Sequence, residues 1–355
     1  MGDRAGAPAG AVGRVAAGLD PGSFSFVMAT GIVSIGMRGH RPAVISTALL
    51  WLAVAGYVVL VVLTCWRAAA FRTRMRADFA DPSGGFAFFT FVAGTDVLGA
   101  ALGLIGHRDA ALALLVVGGL SWLVLGYAVP WAAILGRGDR PVLAGANGTW
   151  FVWVVASQSI AVLAAELEPA VKAPRPEFAL LAVVCWVVGV FLYAAVGIFV
   201  AARMVSYPLS PADLTSPYWV AMGATAITVV AGARIVDMAG APAAAVTHGM
   251  VAAVSVGFWA FGTWLIPPLV AAGWWRHVRH RVPLRYDTSL WSIVFPLGMY
   301  SVAGRSLGQA DHLPIVAAIG RNAIWVALAA WTLTFAGLLT YLGSHRRMSR
   351  HITED

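Results

Sequence analysis

The sequence predicts an all-α integral membrane protein whose ten transmembrane helices form five helical hairpins around a pore. Three observations lead to this prediction: the composition, the number of apolar segments, and a pattern that recurs in every second segment. Of the 355 residues, 60% are hydrophobic and only 11% are charged, and the mean hydropathy is +0.79. A soluble domain carries about 25% charged residues, so this composition is typical of a chain surrounded by lipid.

Ten segments of roughly 20 mostly apolar residues, the length that a transmembrane helix needs, follow one another along the chain. Polar or proline-containing stretches such as "GRGDRP" and "YPLSPADLTSP" separate them. This spacing predicts one membrane domain over residues 21–343, with tails at 1–20 and 344–355. The predicted spans are 21–38, 43–66, 85–106, 110–135, 147–166, 178–203, 217–239, 243–272, 288–308 and 314–343.

The basic residues are distributed unequally between the two sides that this topology creates. If both termini are cytoplasmic, most of the 24 Lys and Arg residues lie inside, many of them in "RTRMRADF" and "RHVRHRVPLRYD". The positive-inside rule therefore predicts two cytoplasmic tails, and the membrane we expect is the plasma membrane. These orientation signals account for the net charge of +8, so we expect no nucleic-acid partner.

The odd-numbered spans begin alike. Each starts with an aromatic residue and reaches small, polar or helix-bending residues some two turns later, as in "SFSFVMATGIVS" and "LWSIVFPLGMYSVAG". The anchoring aromatics Phe24, Phe88, Trp150, Trp219 and Trp291 recur at intervals of 62 to 72 residues. An interval of one helical pair is typical of an internal repeat, which here predicts five hairpins.

The even-numbered spans contain few of these polar residues and consist mostly of Leu, Val, Ala and aromatics. Membrane helices bury small and polar residues against one another or along a water-filled path. The contrast therefore predicts an inner ring of odd helices inside an outer ring of even ones. An alternative is that such residues only allow close packing, as the GxxxG spacing of "GAALG" at 99–103 does. The residues predicted to line the pore are Thr30, Gly31, Ser34, Gly94, Thr95, Asp96, Ser157, Gln158 and Thr225.

Three stretches carry a resemblance to a known family. "FSFVMATGIVS", "GFAFFTFVAGTDVLG" and "WSIVFPLGMYS" resemble the tellurite-resistance/C4-dicarboxylate transporter (TDT) family, which includes fungal malate and sulfite exporters and is related to the plant slow-type anion channels. The resemblance extends from Pro21 to about Tyr341. It implies ten helices as five hairpins, a pore along the odd helices and a homotrimer with one pore per subunit. It also implies transport of a small anion, either a C4-dicarboxylate such as malate or an oxyanion such as sulfite or tellurite.

The same resemblance implies a gate. In the channel relatives a Phe-Pro pair on the ninth helix closes the pore, and here that pair is Phe295-Pro296. A proline at position 296 removes a backbone hydrogen bond and bends the helix. An aromatic ring at the bend closes a narrow path by excluding water from it. The alternative is that Phe295 is an ordinary packing residue.

Asp96 lies near the middle of the third span, where inserting a carboxylate costs about 2.5–3.5 kcal/mol. Such a group faces a cavity or is protonated. It either relays a proton, which would make the protein a proton-coupled anion carrier, or caps backbone groups. Within the odd spans arginine occurs only near the ends, as Arg234 and Arg305. We therefore expect weak anion binding through hydroxyl and amide donors.

Other classes of protein receive little support from the sequence. The chain contains neither the HExxH motif of zinc proteases nor the Walker motif GxxxxGK[ST] of nucleotide-driven pumps. We therefore expect no enzyme, no metal site and no cofactor, and the expected partners are a small anion, membrane lipid and further copies of the chain. A membrane-embedded sensor stays open as an alternative. Cys65 and Cys185 lie in apolar runs, so they are expected to pack rather than to form a disulfide.

Overall fold

The computed structural model describes residues 11–135, 141–170, 175–238 and 242–354, and within these ranges the chain forms helices and turns without a β-strand. Twelve α-helices lie in this described part. They are α1 (Ala11–Ala17), α2 (Ser25–Met37), α3 (Val44–Ala70), α4 (Arg72–Ala80), α5 (Phe89–Gly103), α6 (Arg108–Leu135), α7 (Phe151–Leu167), α8 (Arg175–Ser206), α9 (Val220–Val236), α10 (Pro242–Trp274), α11 (Trp291–Ala310) and α12 (Pro314–Glu354).

Eight helical segments of the described chain are long and apolar enough to cross a membrane. They contain α3, α5, α6, α7, α8, α9, α10 and α12. The apolar segment that contains α2 is shorter, spanning Pro21–Met37. Helix α11 carries Pro296 and Arg305 and is not one of the eight. The predicted all-α membrane protein is confirmed, whereas the count of ten spans stays a prediction.

A 3₁₀ turn precedes each of five helices: α2, α5, α7, α9 and α11. The turns are Pro21–Phe24, Gly85–Phe88, Gly148–Trp150, Ser216–Trp219 and Thr288–Leu290. The repeated aromatics of the sequence end the first four turns and follow the fifth directly. Side chains of Asp20, Asn147 and Asp287 cap three of the turns by accepting a hydrogen bond from the backbone N–H two residues later. Each repeat therefore starts with one local structure, a 3₁₀ turn that leads into a helix, and three of the five turns carry a side-chain cap.

The five helices that follow these turns contact one another in cyclic order, and α11 closes the cycle by contacting α2. We call α2, α5, α7, α9 and α11 the inner helices. Their 3₁₀ turns contact one another in the same cyclic order. All five inner helices therefore begin at one end of the bundle, the N-terminal end, and finish at the other, the C-terminal end.

Each inner helix forms a hairpin with the next long helix of the chain: α3, α6, α8, α10 or α12. Between 78% and 83% of the most apolar stretch is buried in α5, α7 and α9, against 11% to 44% in these five partners. The partners therefore expose a wide apolar surface, which is what lipid-facing helices do. We call them the outer helices.

Two regions differ from the predicted boundaries. The arginine-rich stretch after the second span, predicted as a loop, forms helix α4 over Arg72–Ala80, and its Asp78 accepts a hydrogen bond from the buried Arg67 of α3. Helix α12 continues to Glu354, through most of the stretch at 344–355 that was predicted as a tail. In both places polar sequence forms a helix beyond the apolar segment, which hydropathy alone does not register.

Candidate functional site: two cavities between the inner helices

The first cavity lies at the N-terminal end of the inner helices and has a volume of about 300 Å³. We call it the vestibule. All five repeats contribute to its wall, and many of the lining residues carry a hydroxyl: Ser25, Thr90, Thr149, Thr288, Ser289 and Ser292. None of these residues was among those predicted to line the pore. The available signal was the Ser or Thr beside the anchoring aromatics, where caps of helix starts are common.

Hydrogen bonds between neighbouring repeats hold the rim of the vestibule together. The Thr90 hydroxyl lies 3.1 Å from the Pro21 carbonyl and 2.7 Å from the Ala87 carbonyl, and the Ser25 hydroxyl lies 3.5 Å from the Thr288 carbonyl. The indole N–H of Trp150 donates to the Pro82 carbonyl at 2.9 Å. These contacts join successive repeats through backbone carbonyls, so the helix starts are fixed relative to one another.

Acidic residues also line the vestibule, and each of them forms hydrogen bonds or an ion pair with a nearby group. Asp20 and Asp81 accept hydrogen bonds from backbone N–H groups, and Asp78 is paired with Arg67. Partial desolvation raises the pKa of Asp20, and the charges of Asp78 and Asp287 raise it further. The hydrogen bond from the Gly22 backbone N–H lowers this pKa and offsets part of the rise. The positive ends of five helix dipoles face the same space. The vestibule therefore combines hydroxyl donors and helix N-termini with partly neutralised carboxylates.

The second cavity, which we call the central cavity, has a volume of about 30 Å³. Every inner helix contributes to its lining, for example through Ile32, Val97, Val162, Ile227 and Met299. Space for a water takes about 10–15 Å³, so this volume holds only a few small atoms. The cavity is narrow and mostly apolar.

Asp96 is one of the polar residues in the wall of the central cavity. Its side chain is buried, and its Oδ2 accepts a 2.7 Å hydrogen bond from the Ser159 hydroxyl of α7. Its Oδ1 has no hydrogen-bond partner among the described residues. This oxygen lies beside Gly118 of α6, where a Cβ would come within 2.1 Å of it. The outer helix thus leaves room for the carboxylate only because it carries glycine there.

One layer of residues separates the two cavities. On α11, Ser292 lines the vestibule and Met299 lines the central cavity. Phe295 lies three residues after Ser292 and four residues before Met299, so helical periodicity places all three residues on one face of α11. The same spacing on α2, α5 and α7 selects Met28, Ala93 and Val155, and on α9 Gly223 lies four residues before Ile227 of the central cavity. We call these five residues the constriction layer; all of them are buried.

Phe295 is the one aromatic ring of the constriction layer, and it is 1% exposed. Pro296 packs against α9, where a Cβ at Gly223 would approach its Cγ within 2.9 Å. Pro296 also removes the N–H that would pair with the Ser292 carbonyl. The Phe-Pro pair therefore lies between the two cavities, at the height where the helices α9 and α11 are in close contact.

The predicted pore-lining hydroxyls have their hydrogen bonds at contacts with outer helices. Ser34 and Ser46 of α3 each donate a hydroxyl to the other's carbonyl, at 2.7 and 2.8 Å. The Thr95 hydroxyl lies 3.0 Å from that of Tyr57, also on α3. The Thr30 hydroxyl accepts a 3.0 Å hydrogen bond from the indole of Trp331 on α12.

Two of the remaining predicted residues also form hydrogen bonds with outer helices. Ser157 accepts a hydrogen bond from the indole of Trp122, and the Gln158 amide donates to the Trp186 carbonyl. Thr225 bonds its own helix at the Met222 carbonyl. The glycines pack between inner helices, since a Cβ at Gly31 would lie 2.9 Å from Val97 and one at Gly94 would lie 3.3 Å from the Phe24 carbonyl. Their role as pore-lining residues stays a prediction.

The described residues give no support to catalysis or metal binding. They contain no group of three or more His, Cys, Asp or Glu side chains that could hold a metal ion. The stretch "GRSLG" at 304–308 has the spacing of a hydrolase nucleophile, but it lies inside the continuous helix α11. A nucleophile elbow requires a sharp turn between a strand and a helix.

A family model described as voltage-dependent anion channel matches residues 18–339. The chain belongs to the voltage-dependent anion channel family. The match covers all five hairpins and both cavities. Membership of this family supports anion transport as the general function, carried out by a multi-pass membrane protein.

Curated relatives of this anion-channel family member are consistent with that assignment. An "uncharacterized membrane protein" of Mycobacterium tuberculosis is 67% identical over 154 residues, which is 43% of this chain and 78% of the relative. An "uncharacterized transporter" of Methanocaldococcus jannaschii is 23% identical over 327 residues, covering 88% of this chain and 90% of the relative. A second transporter of that archaeon is 26% identical over 149 residues, or 42% of each chain. The resemblance to the TDT family noted in the sequence is confirmed by these matches.

Proposed function

We propose that this protein conducts small anions across the plasma membrane through the space between its inner helices, and that Phe295 gates the path. One observation carries the proposal: all five repeats line a cavity on each side of the layer that contains Phe295. A bulky ring between two cavities separates them by excluding water, and its movement would join them. The family supports an anion as the transported species.

The vestibule supports entry of an anion from the N-terminal end. Helix N-termini attract negative charge, and hydroxyls of its wall donate hydrogen bonds without binding tightly. With cytoplasmic tails at 1–20 and 344–355, this end faces the cytoplasm. The substrate class we propose is a C4-dicarboxylate such as malate, or an oxyanion such as sulfite or tellurite, with three copies of the chain assembling as a homotrimer.

Flux through reconstituted vesicles tests the proposal. Purified protein is placed in liposomes, and uptake of chloride, nitrate, sulfite and malate is measured against protein-free liposomes, with glycerol as the uncharged control. We expect saturable uptake of at least one anion and no added uptake of glycerol. Folded protein that carries none of the four anions would contradict the proposed function.

Side-specific labelling tests the orientation. In a Cys65→Ser background, a membrane-impermeant thiol reagent added outside is expected to label Arg108→Cys, at the start of α6, and not Arg279→Cys, which follows α10. Cys185 is buried, so it contributes little background. Labelling of Arg279→Cys from outside would reverse the proposed topology.

A proton-coupled carrier is the second candidate, and Asp96 favours it. The carboxylate lies in the wall of the central cavity, and one of its oxygens has no partner in the described chain. A carboxylate in that position can hold or release a proton as an anion passes. Flux measured with and without a pH gradient separates the carrier from a passive channel.

A further inference from the structure

The C-terminal end of the inner helices presents an electrostatic difficulty for an anion. Because the five helices are parallel, the negative ends of their dipoles meet at this mouth. The N-terminal end attracts an anion, and the C-terminal end repels it. An anion path through this bundle therefore requires fixed positive charge at the C-terminal mouth.

Three arginines lie at this mouth, on three inner helices. Arg38 follows the last residue of α2, Arg234 is in the last turn of α9, and Arg305 is near the end of α11. The Arg305 guanidinium donates to the Gly36 carbonyl at 2.7 Å and lies 3.4 Å from the Arg38 carbonyl, which fixes it beside the end of α2. The charges of Arg234 and Arg305 repel each other, so the cluster lacks full internal compensation.

Glu166 of α7 faces this cluster. It lines the central cavity together with Arg234. Burial disfavours its negative charge, and the charges of Arg234 and Arg38 act in the opposite direction. Glu166 lies in the last turn of its helix, where the helix dipole disfavours a carboxylate. The arginines are therefore what stabilises its negative charge.

The geometry of Glu166 and Arg234 is not that of a closed ion pair. No ion pair within 4 Å joins them in the described chain, and the Glu166 Oε1 and the Arg234 Nε are buried without hydrogen-bond partners. The neighbouring residues Glu168 and Arg175, by contrast, do form an ion pair. Glu168, two residues further on, accepts hydrogen bonds from Arg175 at 2.9 and 3.3 Å.

We infer that Arg234, with Arg38 and Arg305, forms a binding site for a small monovalent anion at the C-terminal mouth, and that Glu166 competes with that anion for Arg234. The inference rests on the proposed function for its place in a transport path. The central cavity of about 30 Å³, which Arg234 and Glu166 line, has room for an ion of the size of chloride or nitrate while the path is closed. Removing the charge of Glu166 frees Arg234 for the anion, and removing the charge of Arg234 abolishes the site.

Binding of radiolabelled chloride to detergent-purified protein, measured by scintillation proximity, tests the inference directly. A unit charge several ångströms away, in a site of effective dielectric constant about 20 to 40, changes a binding constant by roughly tenfold. In alkaline buffer, which keeps Glu166 ionised in the parent, we therefore expect Glu166→Gln to bind chloride roughly tenfold more tightly and Arg234→Gln to bind it at least tenfold more weakly. Arg234→Lys, which retains the charge, should keep more of the affinity than Arg234→Gln.

Two variants serve as matched controls. Arg321→Gln removes an exposed arginine near the start of α12, and Asp109→Asn removes an exposed carboxylate in the first turn of α6. Both should bind chloride like the parent, and the melting temperature of every variant reports folding. If Arg234→Gln does not fold, the tighter binding of Glu166→Gln still decides the question.

The outcomes for the site and for transport are separate. Unchanged chloride affinity in folded Glu166→Gln would overturn the inference, even if vesicles of the parent carry anions. Weaker binding in Glu166→Gln would also overturn it, because a carboxylate that competes with the anion for Arg234 must weaken binding of the anion in the parent. Absence of flux in vesicles, with chloride binding altered as expected, would instead count against the proposed function alone.

Discussion

Replacing Phe295 by alanine should raise anion flux per folded protein at least tenfold. The other members of the constriction layer are Met28, Ala93, Val155 and Gly223, so no second ring closes the path. Without the benzyl group, the vestibule of about 300 Å³ and the central cavity of about 30 Å³ are expected to join. An anion would then keep part of its hydration, and a barrier lower by about 1.4 kcal/mol is enough for a tenfold faster rate.

The same substitution should destabilise the fold. Phe295 is 1% exposed, and loss of a buried Phe costs about 3–5 kcal/mol. Less protein will therefore fold, and total uptake can fall while uptake per folded molecule rises. The assay is nitrate uptake into liposomes, normalised to the folded trimer or monomer peak recovered by size exclusion. Phe295→Leu, which keeps an apolar group of intermediate size, should give an intermediate flux.

Phe89 of α5 provides the matched control. Its ring is as buried as that of Phe295, but it packs against Phe86 and Trp153, with centroid distances of 6.1 and 6.0 Å, and is not part of the constriction layer. Phe89→Ala should reduce stability without raising flux per folded protein. The gate assignment is wrong if folded Phe295→Ala is no leakier than the parent, or if both alanine variants leak equally.

Three further substitutions test the roles of individual inner-helix and contact residues. Ser34→Ala should lower the free energy of unfolding by about 1 kcal/mol, because one hydrogen bond to α3 is lost. Flux per folded protein should stay unchanged, and a changed flux would place Ser34 in the path. Gly320→Ala should lower the melting temperature markedly, since a Cβ would lie 2.4 Å from the Arg305 backbone nitrogen, whereas Gly249→Ala, with nothing within 4 Å, should not. Asp96→Asn should abolish any dependence of flux on a pH gradient in folded protein; a dependence that persists assigns Asp96 a structural role.

The sequence predicted the class of the fold because that class depends on one-dimensional features. Composition indicated the membrane, and the repeated aromatics lie where a 3₁₀ turn meets an inner helix. The spacing of those aromatics reflects a local structure that every repeat needs at its start. Helix α4 was missed because its residues are polar, and hydropathy detects burial in lipid rather than helix formation itself.

The direction of the polar side chains could not be predicted with the same success. Hydroxyls recur on the inner helices for two reasons, to bond outer helices and to line the space inside, and sequence does not separate the two. Ser157 and Ser159 illustrate this: the first accepts a hydrogen bond from Trp122 of α6, and the second donates one to Asp96. Residues two apart on a helix point about 200° apart. An error of a fraction of a turn in the assumed helix orientation exchanges the two faces.

Glu166 and Arg234 were missed as a pair because they belong to different hairpins and meet only through contact of α7 with α9. The sign of the field at that mouth, however, follows from the repeat itself. With two membrane helices per repeat, every inner helix runs in the same direction, so all negative dipole ends must lie at one mouth. At the end of a single helix an arginine merely complements that helix. At a mouth shared by five parallel helices, Arg38, Arg234 and Arg305 act on one common space, and a carboxylate among them controls how much of their charge an anion meets.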